Sequence, residues 1–189
     1  MFASLVVKDD FFSNPNELVE VAKTCEYFCG GAQEGVELRG VTTRRNEVKG
    51  SWRGFRSPQI QNINKQLSDK VFSELFNKLT KNTYIRFFEY TVEAYFHYLP
   101  SACKFEENWK HTDDGCIFAG VVYLNKTPCK ESGTMIFDAE TKTTVDNRFN
   151  RLVFFDPTKI HSAQGSFGES VDDARLTLNL FVTKFNMQA

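Results

Sequence analysis

Apolar residues recur with a helical period in two stretches of the first half of the chain. The first stretch begins at Asn14-Pro15-Asn16-Glu17, where Asn14 suits an N-cap, Pro15 the first helical position and Glu17 a capping box. It ends at Gly30-Gly31, and its apolar positions are Leu18, Val21, Ala22, Cys25, Phe28 and Cys29. The second stretch begins at Ser57-Pro58 and ends near Asn82, with apolar positions Ile60, Ile63, Leu67, Val71, Leu75 and Leu79. The pattern predicts two amphipathic helices.

The helical period ends at Thr83, and runs of β-branched and aromatic residues follow. These runs predict strands at 84–98, 116–124, 134–137, 152–155 and 176–182. Helices followed by many short strands favour an α+β domain built on a sandwich or barrel. We therefore expect one domain over residues 1–189, with a helical part at 1–82 and a strand-rich core at 83–189.

Composition adds to this picture without changing it. The 19 phenylalanines favour a thick core between sheets over a slim helical bundle. The formal net charge of −1 gives no global basic field, so tight nonspecific binding to nucleic acid or to an anionic membrane is not indicated. A local basic patch stays compatible with this charge.

Cysteine usage and the N-terminal segment bear on location. The five cysteines are odd in number and lack the dense spacing of a secreted disulfide framework. The apolar run at 1–7 meets Lys8-Asp9-Asp10 at once, which is too short for a signal-peptide core. We expect a cytoplasmic protein with reduced thiols and no membrane partner.

The segment 39–56 is rich in arginine, glycine and aromatic residues and has no clean period. It is either a cover over the mouth of the barrel that binds substrate or an ordinary solvated connection. Arg53 and Arg56 at its end are candidate substrate contacts, as is Trp109 before the His111-Thr112-Asp113 triplet.

The triplet His111-Thr112-Asp113 carries the most informative chemistry. In a strand, His111 and Asp113 would aim at one interior point while Thr112 faces away. His161 follows the apolar run 152–155 and an Asp156-Pro157 turn, which predicts a position at a strand rim. Two imidazoles and one carboxylate are the donor set of the facial triad that holds Fe(II). The alternatives are a surface hydrogen bond for the triplet and a solvent-facing loop position for His161.

Arg175 opens a strand in which Thr177, Asn179 and Phe181 share its face. An arginine that points into a barrel needs an anion, and its planar guanidinium pairs well with a carboxylate. A dicarboxylate such as 2-oxoglutarate would satisfy this requirement. The alternative is a salt bridge to an internal Asp or Glu.

The order and spacing of several motifs over roughly residues 84–185 resemble the Fe(II)/2-oxoglutarate dioxygenases, and specifically their prolyl hydroxylase-like branch. The motifs that carry the resemblance are Tyr123-Leu124-Asn125, Ser132-Gly133-Thr134-Met135-Ile136-Phe137, the segment 149–155, His161 and Arg175. The resemblance implies a double-stranded β-helix, a jelly-roll of two facing sheets, with Fe(II) bound at its open end.

The resemblance also implies roles for individual residues. His111, Asp113 and His161 would hold the iron. Arg175 and Tyr123 would bind the distal carboxylate of 2-oxoglutarate, and Thr177 would lie beside this cosubstrate. Tyr98 would lie near the iron-chelating end, which leaves His97 on the opposite face of its strand as a structural residue.

The function implied is an O2-dependent hydroxylase that converts 2-oxoglutarate to succinate and CO2 while it oxidises a peptidyl or small-molecule substrate. Two alternatives stay open. One is a jelly-roll protein that binds metal or dicarboxylate and catalyses nothing. The other is an oxygenase that demethylates nucleobases and uses the arginine-rich loop as a phosphate clamp.

Overall fold

The computed structural model describes residues 4–29, 52–81, 86–103, 109–138 and 141–188. Most of the predicted loop at 39–56 lies outside these ranges, and only residues 52–56 of it are described. The elements in chain order are β1 (Leu5–Lys8), α1 (Pro15–Thr24), β2 (Phe28–Cys29), β3 (Phe55–Gln59), α2 (Ile60–Ile63), α3 (Lys65–Thr80), β4 (Arg86–Leu99), β5 (Phe118–Tyr123), β6 (Thr134–Phe137), β7 (Lys142–Val145), β8 (Leu152–Phe155), β9 (Ile160–Ala163) and β10 (Arg175–Gln188).

The larger sheet has the strand order β1-β8-β5-β10-β4-β3-β2, and its described pairs are antiparallel. Successive side chains alternate between its two faces. Leu176, Leu178 and Leu180 of β10 lie on the face that packs against the helices, which we call the outer face. Arg175, Thr177 and Asn179 alternate with them and lie on the opposite, inner face.

The smaller sheet has the order β7-β6-β9 and lies against the inner face of the larger one. Side chains from both sheets share one hydrophobic cluster, in which Ile136 and Val145 meet Tyr123, Val153 and Phe155. Two antiparallel sheets that enclose such a core form a jelly-roll. The predicted α+β fold on a double-stranded β-helix is therefore confirmed.

Helix α3 covers the outer face of the larger sheet. Its residues Leu67, Val71 and Leu75 recur at helical spacing and are buried with the outer-face leucines of β10. The predicted second helix is divided at Asn64: α2 covers Ile60–Ile63, and α3 begins at Lys65. The Asn64 side chain accepts a hydrogen bond from the backbone N–H of Leu67 at 3.0 Å and caps α3. The predicted start at 57–58 instead belongs to β3, which pairs with β4.

Helix α1 ends earlier than predicted. The backbone is already extended at Cys25, whose φ and ψ are −73° and 150°, so Gly30-Gly31 does not end the helix. Phe28 and Cys29 form β2 and pair with Arg56 and Phe55. The tertiary pairing with β3 thus overrides the helical spacing of these apolar residues.

The predicted strands at 134–137 and 152–155 match β6 and β8 in both bounds. The remaining predicted strands correspond to β4, β5 and β10 with shifted ends. Within the described part of the chain, each helix is too short or too polar to cross a bilayer.

Candidate active site

His111, Asp113 and His161 meet at one end of the jelly-roll, and their candidate ligand atoms all lie within 4.8 Å of one another. Asp113 Oδ2 lies 3.2 Å from His161 Nε2, and Asp113 Oδ1 lies 3.6 Å from His111 Nε2. The His161 side chain is 7% exposed and that of His111 is 55% exposed, so the cluster opens to solvent on the His111 side.

Backbone pairing brings the two histidines together. His111 and His161 form an isolated bridge in which each backbone N–H donates to the other's carbonyl, at 3.0 and 2.9 Å. The Asp113 N–H donates to the carbonyl of Pro157 at 3.0 Å. The segment 111–113 is therefore not the strand that the spacing predicted. It is a loop that these three bonds hold against β9 and against Pro157 before it.

Both imidazoles are oriented by main-chain carbonyls. The Nδ1–H of His111 donates to the Trp109 carbonyl at 2.7 Å, and the Nδ1–H of His161 donates to the Lys159 carbonyl at 2.9 Å. A carbonyl can only accept, so these contacts assign the proton of each neutral ring to Nδ1. Each Nε2 then presents a lone pair to Asp113, which is the state that a metal ion requires.

This donor set fits a divalent transition metal. Bonds from metal to nitrogen or oxygen are about 2.0–2.2 Å long. Adjacent ligand atoms around one ion then stand about 3 Å apart, and the observed Asp113–imidazole distances of 3.2 and 3.6 Å need only a small contraction. Two imidazoles and one carboxylate on one side of an ion match the facial arrangement preferred by non-haem Fe(II).

Arg175 is the second conspicuous group. Its side chain lies between the sheets with a relative exposure of 4%. Nε donates to the Ser132 carbonyl at 2.7 Å, Nη2 donates to the Gly133 carbonyl at 3.2 Å, and the guanidinium lies 5.5 Å from the Tyr123 ring centre. Over the described ranges, no carboxylate oxygen lies within 4.0 Å of it, so the alternative of an internal salt bridge is not observed.

Burial lowers the pKa of Arg175, although an arginine keeps its proton at neutral pH. A buried cation without a counter-ion is unfavourable by itself. Asn125 holds the arginine in place, since its side chain accepts from the Leu176 N–H at 2.9 Å and donates to the Ala174 carbonyl at 2.6 Å. Arg175 is thus positioned and electrostatically ready for an anionic ligand.

Solved structures with the same architecture were found across nearly the whole chain. A Trichoplax adhaerens prolyl hydroxylase, in complex with a hypoxia inducible factor oxygen degradation domain peptide fragment, is 14% identical with a TM-score of 0.61, covering 95% of this chain and 83% of that one. A Pseudomonas putida prolyl-4-hydroxylase is 13% identical with a TM-score of 0.58, covering 98% and 94%. HygX from Streptomyces hygroscopicus, with nickel and 2-oxoglutarate bound, is 11% identical with a TM-score of 0.56, covering 95% and 82%.

The chain has the fold of the 2-oxoglutarate/Fe(II) oxygenases. No family model and no curated protein matches its sequence. The likeness at these identities is one of fold, and the chemistry of this oxygenase fold has to be argued from its own side chains.

The inner face of the oxygenase fold carries a polar row of side chains across the larger sheet. Arg56 on β3 pairs with His97 on β4, His97 pairs with Thr177 on β10, and Thr177 pairs with Tyr123 on β5. Thr177 is fully buried, and its hydroxyl contacts the His97 carbonyl at 3.2 Å and the Asn179 amide oxygen at 2.8 Å. The Tyr123 hydroxyl contacts Thr134 Oγ1 at 2.7 Å.

The structure corrects the expectation for Tyr98. This residue pairs with Leu176 and is buried on the outer face, stacked on Phe55 at 4.9 Å and edge-on to Tyr27 at 4.8 Å. His97 takes the inner face instead. Sequence reasoning exchanged the two faces because β4 is buried on both sides near its end, so its apolar pattern does not distinguish them.

His97 is neutral and connects the row to the segment before β3. Its Nε2–H donates to the Arg53 carbonyl, and its Nδ1 accepts from the Asn179 side-chain amide at 3.3 Å. Burial, together with the positive charge of Arg56, lowers the pKa of His97 to about 3. His97 and Asn179 were not predicted as site residues, although the alternation from Arg175 through Asn179 placed Asn179 on the correct face.

The remaining predicted site residues are the substrate candidates Trp109, Arg53 and Arg56. Trp109 is 6% exposed within the larger hydrophobic cluster, and its carbonyl orients His111. The Arg53 guanidinium lies 5.8 Å from the Trp109 ring centre. Arg56 projects toward the inner face among aromatic rings.

Proposed function

We propose that this protein is a dioxygenase that depends on Fe(II), 2-oxoglutarate and O2 and hydroxylates a peptidyl or small-molecule substrate. The observation that carries the proposal is the pairing of the His111–Asp113–His161 cluster with the buried Arg175, which has no counter-ion among the described residues. A metal site alone has many uses, whereas this metal site with an unpaired internal cation on the same inner face specifically suits a chelating dicarboxylate.

In this proposal His111 and His161 bind Fe(II) through Nε2, and Asp113 binds it through one carboxylate oxygen. The Trp109 and Lys159 carbonyls keep both imidazoles in the required tautomer. With three protein ligands on one side, three coordination positions stay open for cosubstrate and O2. Retention of the carboxylate ligand favours hydroxylation over halogenation, which needs that position for halide.

Arg175 binds the distal carboxylate of 2-oxoglutarate, and the Tyr123 hydroxyl donates to the same group. Both side chains are almost completely removed from water, so their hydrogen bonds to an anion are strong. Thr177 lies beside them. When bound, Fe(II) and 2-oxoglutarate supply an O2-dependent oxidation that is coupled to formation of succinate and CO2.

The test is an anaerobic titration of apo-protein with Fe(II) and 2-oxoglutarate, followed by the visible metal-to-ligand charge-transfer band. We expect the band in wild type, its loss in His111→Ala, and an about 100-fold higher cosubstrate requirement in Arg175→Ala. Arg148→Ala is the matched control, because this arginine pairs with Asp9 on the surface and its side chain is 58% exposed. Folded wild-type protein without a band would overturn the proposal.

A non-catalytic binding protein would also give the band, so turnover needs its own measurement. Succinate formation under O2, abolished in Asp113→Ala, supports an oxygenase. Binding of both ligands without succinate formation in the presence of any tested substrate would favour a binding protein. The nucleobase alternative rests on the loop 39–56, of which only residues 52–56 are described, and no described contact favours it.

A further inference from the structure

Arg56 is a second cation on the inner face, and its guanidinium is surrounded by aromatic rings. Its central carbon lies 4.7 Å from the Trp52 ring centre, 5.1 Å from that of Tyr95 and 5.5 Å from that of Phe181. Its Nε is buried and has no hydrogen-bond partner among the described residues. Over the described ranges, the guanidinium also makes no ion pair within 4.0 Å.

The position of Arg56 places it beside the proposed reaction centre. It opens the polar row that continues through His97 and Thr177 to Tyr123. Burial lowers the pKa of Arg56, and the negative charge of Asp113 acts on it in the opposite direction. The cation therefore lies within electrostatic range of a proposed metal ligand.

Glu93 is another acidic side chain that acts on Arg56, and its carboxylate is engaged elsewhere. The Tyr95 hydroxyl donates to Glu93 Oε2 at 2.8 Å and accepts from the Gln59 amide at 2.9 Å. Glu93 adds negative potential near Arg56 without pairing with it. Three rings position the guanidinium by cation–π contact, and its buried Nε has no hydrogen-bond partner among the described residues. Nε and one terminal nitrogen together form an edge that fits a carboxylate bidentately.

The buried Arg175 and the partly buried Arg56 have separate tasks if the proposed function holds. One carboxylate of 2-oxoglutarate goes to the metal and the other to Arg175, which leaves Arg56 without a share of the cosubstrate. We propose that Arg56 binds a carboxylate of the primary substrate, so that the protein oxidises a carboxylic acid whose adjoining carbon chain lies against Trp52 and Phe181. The oxidation of this acid rests on the proposed function, whereas the binding of a carboxylate at Arg56 does not.

A single negative charge suits this site better than a phosphate. Glu93 already offsets part of the charge of Arg56, and the guanidinium of Arg53 is directed to Trp109. Among the described residues, a phosphate dianion would lack a second cation to pair with here, whereas a carboxylate needs only one. Phosphate binding is therefore an outcome of the test that would contradict the inference.

Trp52 provides a direct reporter, because it touches Arg56 and the chain has only two tryptophans. In a Trp109→Phe background, tryptophan fluorescence reports on Trp52 alone. The protein is loaded with Zn(II), which is redox-inert, and with saturating 2-oxoglutarate, and is then titrated with acetate, with its neutral analogue acetamide and with inorganic phosphate. We expect a saturable response to acetate and none to acetamide or phosphate.

Two variants at position 56 keep the test informative. Arg56→Gln should weaken acetate binding by about tenfold or more, and Arg56→Lys should weaken it less, because lysine keeps the charge but loses the planar fork. Glu93→Gln should strengthen it by removing a repulsive charge, and Arg53→Gln should leave it unchanged. An acetate response that persists in Arg56→Gln, or no response in folded parent protein, would overturn the inference.

The inference and the proposed function fail in different ways. If Arg56→Gln weakens 2-oxoglutarate binding as strongly as Arg175→Ala does, Arg56 serves the cosubstrate, and only the inference is lost. If the charge-transfer band is absent but acetate still binds at Arg56, the carboxylate site stands and the oxygenase proposal falls.

Discussion

The backbones of His111 and His161 exchange two hydrogen bonds, and this bridge brings their ring centres to 4.4 Å. The convergence of the candidate ligand atoms therefore follows from main-chain pairing. Since His161 also packs at 4.5 Å against the Phe155 ring, the deeper imidazole is fixed by the core. A preformed site of this kind binds metal without a prior folding step.

Metal binding to a preformed site should stabilise the fold. Anaerobic Fe(II) at 100 times its dissociation constant should raise the free energy of unfolding by about 2.7 kcal/mol. Asp113→Ala should lose this gain. Asp114→Ala, which alters the neighbouring exposed carboxylate, should keep it. Thermal unfolding of both variants with and without Fe(II) measures the effect, and equal gains in the two would contradict the assignment of Asp113.

Removal of the Tyr123 hydroxyl should affect both the fold and cosubstrate binding. This hydroxyl contacts Thr134 Oγ1 at 2.7 Å and the Val145 carbonyl at 3.3 Å in a fully buried position. Tyr123→Phe should lower the free energy of unfolding by about 1 kcal/mol. It should also weaken 2-oxoglutarate binding by about fivefold. Urea unfolding and calorimetric titration with Fe(II) present measure these two effects.

Tyr98→Phe is the contrasting substitution. The Tyr98 hydroxyl is buried on the outer face and has no hydrogen-bond partner over the described ranges. Its removal should leave stability unchanged or raise it by about 1 kcal/mol, because a buried polar group without a partner is unfavourable. The affinity for 2-oxoglutarate should not change. Weaker 2-oxoglutarate binding in Tyr98→Phe would mean that Tyr98 lies near the cosubstrate, as predicted from the sequence, and not on the outer face.

The contrast between Tyr98 and His97 shows where sequence reasoning stopped. Strands such as β6 and β8 could be bounded from their apolar runs and turn residues alone. The inner face of β10 could also be identified, since Arg175, Thr177 and Asn179 alternate with leucines. On β4 both faces are buried near residue 98, so burial does not identify the inner face and only pairing with β10 decides it.

The predicted helix boundaries were wrong for a related reason. Cys25, Phe28 and Cys29 fit a helical period, but Phe28 and Cys29 pair with β3, a strand far along the chain. The contact between segment 111–113 and β9 likewise joins residues that are far apart in the sequence. The same is true of the contacts between Arg56 and the aromatic rings of Tyr95 and Phe181. Local patterns therefore gave the identity of most candidate site residues, whereas the face on which each one lies depends on long-range pairing.

The buried neutral His97 should make the stability of the fold depend on pH. Its folded-state pKa is lowered to about 3, chiefly by burial and then by Arg56, with Arg175 and His111 acting in the same direction. The unfolded chain binds a proton below about pH 6.5 and the folded chain does not. This contribution is therefore fully present above pH 6.5 and is lost as pH falls from there toward 3.

The loss from His97 amounts to about 2 kcal/mol between pH 6.5 and pH 5. His97→Gln keeps a side-chain donor for the Arg53 carbonyl but does not titrate, so its stability should fall by about 2 kcal/mol less over the same interval. Urea unfolding of both proteins at pH 7.5 and pH 5 measures the difference. Parallel pH profiles would show that His97 is protonated in the folded protein.

Two asparagines at helix starts offer a matched test of the local structure. Asn64 caps α3 by accepting from the Leu67 N–H at 3.0 Å, so Asn64→Ala should lower the free energy of unfolding by about 1 kcal/mol. Asn14 precedes α1 but makes no side-chain bond to the helix backbone, and its amide donates to the Glu17 carboxylate at 3.1 Å. Asn14→Ala should therefore have less than half that effect. Urea unfolding of the two variants measures both effects. A larger loss of unfolding free energy in Asn14→Ala than in Asn64→Ala would mean that the capping box predicted from the sequence forms in solution.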